Sequence, residues 1–261
     1  MSIEIIVNFD IENTRHLIGA LQDLPSHLKP QYFSEEENVK SDKDQIFDSE
    51  RFVKFLERNP LGFFLFSKSC RYNFYLYSQG YSELCCDLYG DGGADDVLRV
   101  FNAFLSGSPV FGFAAQNKER LPDSKGSYVI THDMVTSEYD HRNKHFATIG
   151  VNHIESGIGR DLDKYIPGIY WCTLLSDELL ERHNINLLEL SSEAISTDEL
   201  GDDSMHLLKF YEKPEDWREH SERLDNICEK VDGIFSRRSV VKAVEGVTSY
   251  LEYDDIISSW R

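Results

Sequence analysis

The stretch GFFLFSKSCRYNFYLYSQGYSELCCDLY, residues 62–89, decides how this chain folds. Three runs rich in aromatic and aliphatic side chains, Gly62 to Ser67, Tyr72 to Ser78 and Ser82 to Tyr89, are separated by Lys68 to Arg71 and by Gln79-Gly80. Short apolar runs divided by polar and glycine-bearing breaks read as strands joined by hairpins, so the stretch predicts an antiparallel meander. Successive strand side chains point to opposite faces. Tyr72, Phe74, Tyr75 and Tyr77 therefore place aromatic groups on both sides of the middle strand, one side for the core and the other for contact. Cys85-Cys86 likewise turns one thiol toward the core.

Working outward, residues 2 to 9 alternate as an opening strand, and Leu17, Ile18 and Leu21 mark a short helix ending near Pro25. Ser34 to Asp44 is polar and acidic and reads as a solvated loop. Asp48 or Ser49 caps a helix that carries Phe52, Val53, Phe55 and Leu56 and stops at Asn59-Pro60. After the meander, Gly90-Asp91-Gly92-Gly93 introduces a helix with Val97, Leu98, Phe101, Phe104 and Leu105 on one face, followed by a strand at Val110 to Ala115. A junction at Gln116 to Gly126 leads to strands within Tyr128 to Thr131, Phe146 to Ile154 and Tyr165 to Leu174. Ser176 caps a helix through His183, and the acidic stretch around Asp198 precedes a strand at Met205 to Tyr211. The longest helix is expected from Pro214 to Arg237-Arg238, with Trp217, Leu224, Ile227, Cys228, Val231, Ile234 and Phe235 on its inner side.

Runs of strands and helices without βαβ alternation define an α+β fold. The expectation is two packed halves of antiparallel strands with helices on one side, residues 1–120 and 121–261, forming one globular unit.

The charge balance limits the function. Against 27 Lys and Arg stand 46 Asp and Glu, a net charge of −19. Such a surface repels phosphate backbones and anionic lipid, and attracts basic partners. The most continuous apolar run, Leu61 to Phe66, is far below the ~20 residues of a membrane helix. The five cysteines, Cys70, Cys85, Cys86, Cys172 and Cys228, are odd in number and form no C-x-x-C pair. With no positive region at the N-terminus, they point to a reducing, cytoplasmic setting.

Catalytic patterns are sparse. Gly90-x-Gly92-Gly93 lacks the lysine of a phosphate loop, and Asp91, Asp95 and Asp96 would repel a phosphate there. His132, His141, His145 and His153 lie close in sequence, but no H-E-x-x-H pattern accompanies the i, i+4 pair His141 and His145. Loop histidines are the simpler reading; a hydrolase or metal-dependent enzyme built on the His132–His153 region is the alternative. No serine sits in G-x-S-x-G. No catalytic residue, cofactor or metal ligand is assigned.

Ile166-Pro167-Gly168-Ile169-Tyr170-Trp171 resembles a segment of bacterial immunity proteins associated with polymorphic and type VI secreted toxins. Physically the motif reads as structural, a Pro-Gly turn feeding a Tyr-Trp pair into a buried strand. The resemblance implies a cytoplasmic, non-enzymatic protein that binds and neutralises a cognate toxin. The acidic balance fits a basic toxin as partner, steered by charge. Clustering nominates Asp198, Glu199, Asp202 and Asp203 as the contact residues. A scaffold with a self-complementary apolar patch is a third class.

Overall fold

The computed structural model describes residues 2–10, 15–37, 46–58, 62–76, 81–90, 93–116, 128–130, 135–136, 147–149, 162–163, 166, 168–201, 204–231 and 233–234. Twelve strands and six helices lie along them. The order is β1 (Ser2–Asp10), α1 (Arg15–Asp23), β2 (Tyr32–Ser34), α2 (Ser49–Leu56), β3 (Gly62–Phe66), β4 (Cys70–Leu76), β5 (Tyr81–Tyr89), α3 (Ala94–Phe104) and β6 (Pro109–Gln116). There follow β7 (Tyr128–Ile130), β8 (Val135–Thr136), β9 (Ala147–Ile149), β10 (Cys172–Ser176), α4 (Asp177–Arg182), α5 (Leu187–Glu193), β11 (Ser196–Leu200), β12 (Met205–Lys209) and α6 (Trp217–Lys230).

Nine strands form one antiparallel sheet in the order β11-β12-β10-β6-β1-β5-β4-β3-β2, and β8-β7-β9 form a second, small sheet. The fold is α+β, with the expected meander at β3, β4 and β5 paired register by register. The sheet runs unbroken from one half of the chain to the other, because β10 pairs directly with β6 from Cys172 opposite Ala114 to Leu175 opposite Phe111.

Alternation sets the core. Ile3, Ile5, Val7 and Phe9 of β1, Leu84, Cys86 and Leu88 of β5, and Cys70, Tyr72 and Phe74 of β4 are all buried on one face. Helices cover that face: Phe104 of α3 meets Phe9 and Tyr72 edge-on, and Phe52 of α2 meets Phe63 at 5.2 Å. Gly112 of β6 has no room for a side chain, since a Cβ would sit 2.9 Å from the Ile6 carbonyl and 3.2 Å from the Phe101 ring. On the opposite face of β1, β4 and β5, Glu4, Arg71, Asn73, Cys85 and Asp87 are only half-buried. Toward β6, β10 and β12 this one-sided pattern ends. Val110 to Ala115, Cys172 to Ser176 and Met205 to Leu208 are buried throughout, the signature of strands covered on both faces.

Several local expectations need correction. Leu98 is 39% exposed, and Val100 instead joins Val97, Phe101 and Phe104 on the inner side of α3. The last helix ends at Lys230, two turns short of Arg238, because Gly233 takes a left-handed φ of 87° and its carbonyl accepts from the Ile166 N–H at 2.8 Å. Ile234 bridges Ile166 there, whereas Phe235, Arg237 and Arg238 lie outside the described residues. Ser34, read as the start of a loop, closes the short strand β2.

Candidate interaction surface

At one end of the large sheet, β11 presents an edge whose residues are exposed from Ser196 to Glu199. Asp and Glu are poor strand formers, so intrinsic preference does not explain β11. Its neighbour does. β12 is buried and half of its backbone groups remain unpaired by β10. The Phe210 N–H donates to the Trp171 carbonyl at 2.9 Å, and Cys172 lies opposite Lys209, so the β10 ladder uses the groups of Phe210, Leu208 and His206. In an antiparallel pair these bonds alternate along the strand, which turns Lys209, Leu207 and Met205 toward β11. The Ile195 N–H accordingly donates to the Lys209 carbonyl at 2.8 Å. Ser196, Asp198 and Leu200 stand opposite Lys209, Leu207 and Met205 and close that ladder. By the same alternation, the N–H and C=O groups of Thr197 and Glu199 point away from the sheet.

Side-chain bonds tie the framework behind this edge. Arg223 of α6 donates to the Phe210 carbonyl at 3.0 Å and also to the Glu193 carbonyl, tying the end of β12 to the residues that lead into β11. Gly201, with φ of 67°, makes the turn out of β11. His206, opposite Glu199, is 4% exposed and its Nε2 lies 2.7 Å from Asp177 Oδ1 at the start of α4. The ring nitrogen Nε2 is thus taken up by that carboxylate, and Nδ1 is buried with no hydrogen-bond partner among the described residues.

The opposite edge, β2, is covered at Tyr32. Tyr32 bridges Ile46, and the Phe47 N–H donates to the Gln31 carbonyl at 2.8 Å, so the chain itself continues the sheet beyond β2. Phe33, Phe47, Phe52, Phe55 and Phe63 pack there with ring centroids 4.8 to 6.3 Å apart.

A third group occupies the half-buried face of β1, β4 and β5. One donor atom each from Glu4, Cys85 and Asp87 lies within 4.8 Å of the others, a carboxylate, thiol and carboxylate set that matches divalent-ion ligands in type. Yet the Cys85 thiol donates to Glu4 Oε1 at 3.4 Å, and Arg71 donates to Asp87 Oδ2 at 2.8 Å and to Glu37 at 2.5 Å. The guanidinium thus already pairs one of the group's two carboxylates, Asp87. Burial works against the Arg71 charge, but its bonds to Asp87 and Glu37 hold its pKa above the ordinary value. On the covered face, burial pushes the Cys86 thiol and the Tyr72 hydroxyl up, so both are neutral, and Tyr72 donates to the Leu28 carbonyl at 3.0 Å. That is packing chemistry.

Of the nominated contact residues, Asp198 and Glu199 sit on β11 and face opposite sides of it, while Asp202 and Asp203 lie outside the described residues. His132, His141, His145 and His153 lie outside them too, as do Asp91, Gly92 and Tyr77. In the aromatic row, Tyr72 and Phe74 are buried and Tyr75 points outward at 37% exposure. The resemblance motif is internal: Gly168, Ile169, Tyr170 and Trp171 are buried, Tyr170 stacks on Phe113 at 4.1 Å, and Trp171 Nε1 donates to the Tyr211 carbonyl. The strand character of Ser196–Leu200 went unread in the sequence. Its available signal was Leu200-Gly201-Asp202-Asp203-Ser204, a turn composition directly before the Met205 strand. No protein-family model, curated protein or solved structure matches this chain. Among the described residues, no helix is long and apolar enough to cross a membrane.

Proposed function

We propose that this chain is a non-catalytic, cytoplasmic binding protein that neutralises a basic cognate toxin. The observation that carries the reading is the exposed β11 edge bearing Asp198 and Glu199, on a chain of net charge −19. A cationic partner is steered toward such a surface and away from competing polyanions, which raises the association rate at low salt. The resemblance of Ile166 to Trp171 to toxin-immunity proteins supplies the class of partner. Because the motif's described residues are buried, they act as a fold determinant, and contact falls to residues elsewhere.

The test is co-expression with the product of the adjacent gene in a growth assay, followed by co-purification of the two proteins at low and high salt. Restored growth and a stoichiometric complex whose capture weakens with salt are expected. Unrestored growth with no complex at either salt concentration contradicts the reading.

A further inference from the structure

Resting on that reading, we propose that the β11 edge receives the partner by strand addition, taking an extended segment with two consecutive cationic residues. Thr197 and Glu199 each direct one N–H and one C=O outward, so an antiparallel strand laid against β11 has two residues available for paired backbone bonds. The side chains then specify the occupant. The partner residue opposite Asp198 shares one face of the extended sheet with that carboxylate, and the next residue shares the other face with Glu199. A cation is favoured at each, which makes the matching feature a dibasic step flanked by ordinary strand formers. Ile195, 47% exposed just before β11, offers an apolar contact at one end.

A second copy of this chain fits poorly. Two antiparallel β11 edges would place Asp198 and Glu199 of each copy among their own kind, and like charges directly opposed destabilise a strand pair. Backbone addition supplies affinity without side-chain specificity, and the two carboxylates supply the specificity.

The probe is the blocked peptide Val-Thr-Lys-Arg-Thr-Val, titrated into the 15N-labelled full chain at low salt. The Thr197 and Glu199 amides are expected to shift and gain exchange protection, with β2 amides unchanged. Proline is tolerated on an edge strand where the N–H faces outward. Thr197→Pro therefore keeps the β12 ladder while removing one outward donor, and is expected to weaken peptide binding by about tenfold. Asp198→Lys with Glu199→Lys keeps every backbone group and is expected to abolish binding of this peptide. Shifts confined to residues away from 195–201, unchanged affinity in Thr197→Pro if that variant folds, or unchanged affinity in the double charge reversal would overturn strand addition. So would self-association of Asp198→Ser with Glu199→Ser when the wild-type chain takes no peptide, because the acids would then only guard the edge. Toxin capture that survives all these variants removes strand addition and leaves toxin neutralisation standing. Failure to protect cells with an intact peptide response removes the neutralising function alone.

Discussion

The two ends of the nine-stranded sheet handle the same physical problem in opposite ways. Any edge strand carries outward N–H and C=O groups that invite another strand. At the β2 end the chain answers with itself: Ile46 and Phe47 continue the sheet, and a cluster of five phenylalanines anchors that cover. At the β11 end Thr197 and Glu199 are exposed residues whose outward groups meet no further strand among the described residues. Closure at β2 serves stability. The β11 edge, held in place by a buried β12 and by Arg223, has no further strand against it among the described residues.

The largest effect expected from this contrast is on packing. Phe52 is fully buried against Phe33, Phe47 and Phe63, so Phe52→Ala should cost about 3–5 kcal/mol in urea denaturation. A loss below about 1 kcal/mol would mean that the β2 end is not held by its aromatic cluster. Asp48 caps the same helix, accepting from the Arg51 N–H at 3.1 Å, and Asp48→Ala should cost about 1 kcal/mol. An unchanged urea midpoint would show that α2 is set by packing alone.

On the β11 side of the sheet, pH sharpens the comparison. Burial holds the His183 imidazole below its usual pKa of 6.5, while its Nε2 lies 2.6 Å from the Leu162 carbonyl. The unfolded chain therefore takes up the proton first. Stability from this group is complete above pH 6.5 and is lost as pH falls from there through the folded pKa. Unfolding measured from pH 8 to pH 5 should show a steeper acid loss in the wild type than in His183→Gln; equal slopes would assign the loss to other groups. The smallest stability effect belongs to the edge itself, since Glu199→Ala removes an exposed side chain and should change stability by less than about 0.5 kcal/mol. A larger cost would show that Glu199 serves the fold rather than contact.

Much of this architecture was legible where one residue pattern had one physical solution. Alternation across residues 62–89 marked the meander, and Asp48 or Ser49 and Ser176 marked two helix starts, which the structure caps with the side chains of Asp48 and Ser176. β11 was not legible because Ser196-Thr197-Asp198-Glu199-Leu200 lacks the apolar alternation of a half-buried strand. Its conformation comes from β12 across the turn, a tertiary influence that overrides local preference. Similarly, α6 ends early because Gly233 and Ile234 are engaged by Ile166, a contact remote in sequence. Clustering of acids nominated Asp198 and Glu199, but only the register separates their faces and identifies the outward backbone groups.

The most direct measurement is hydrogen exchange of the full chain, free and in complex with the basic partner proposed for it. Strand addition predicts that amides of Thr197 and Glu199 exchange rapidly in the free chain and become protected in the complex, with Tyr32 to Ser34 unchanged. A stoichiometric complex in which residues 196–200 exchange as fast as in the free chain, with protection arising elsewhere, would contradict it.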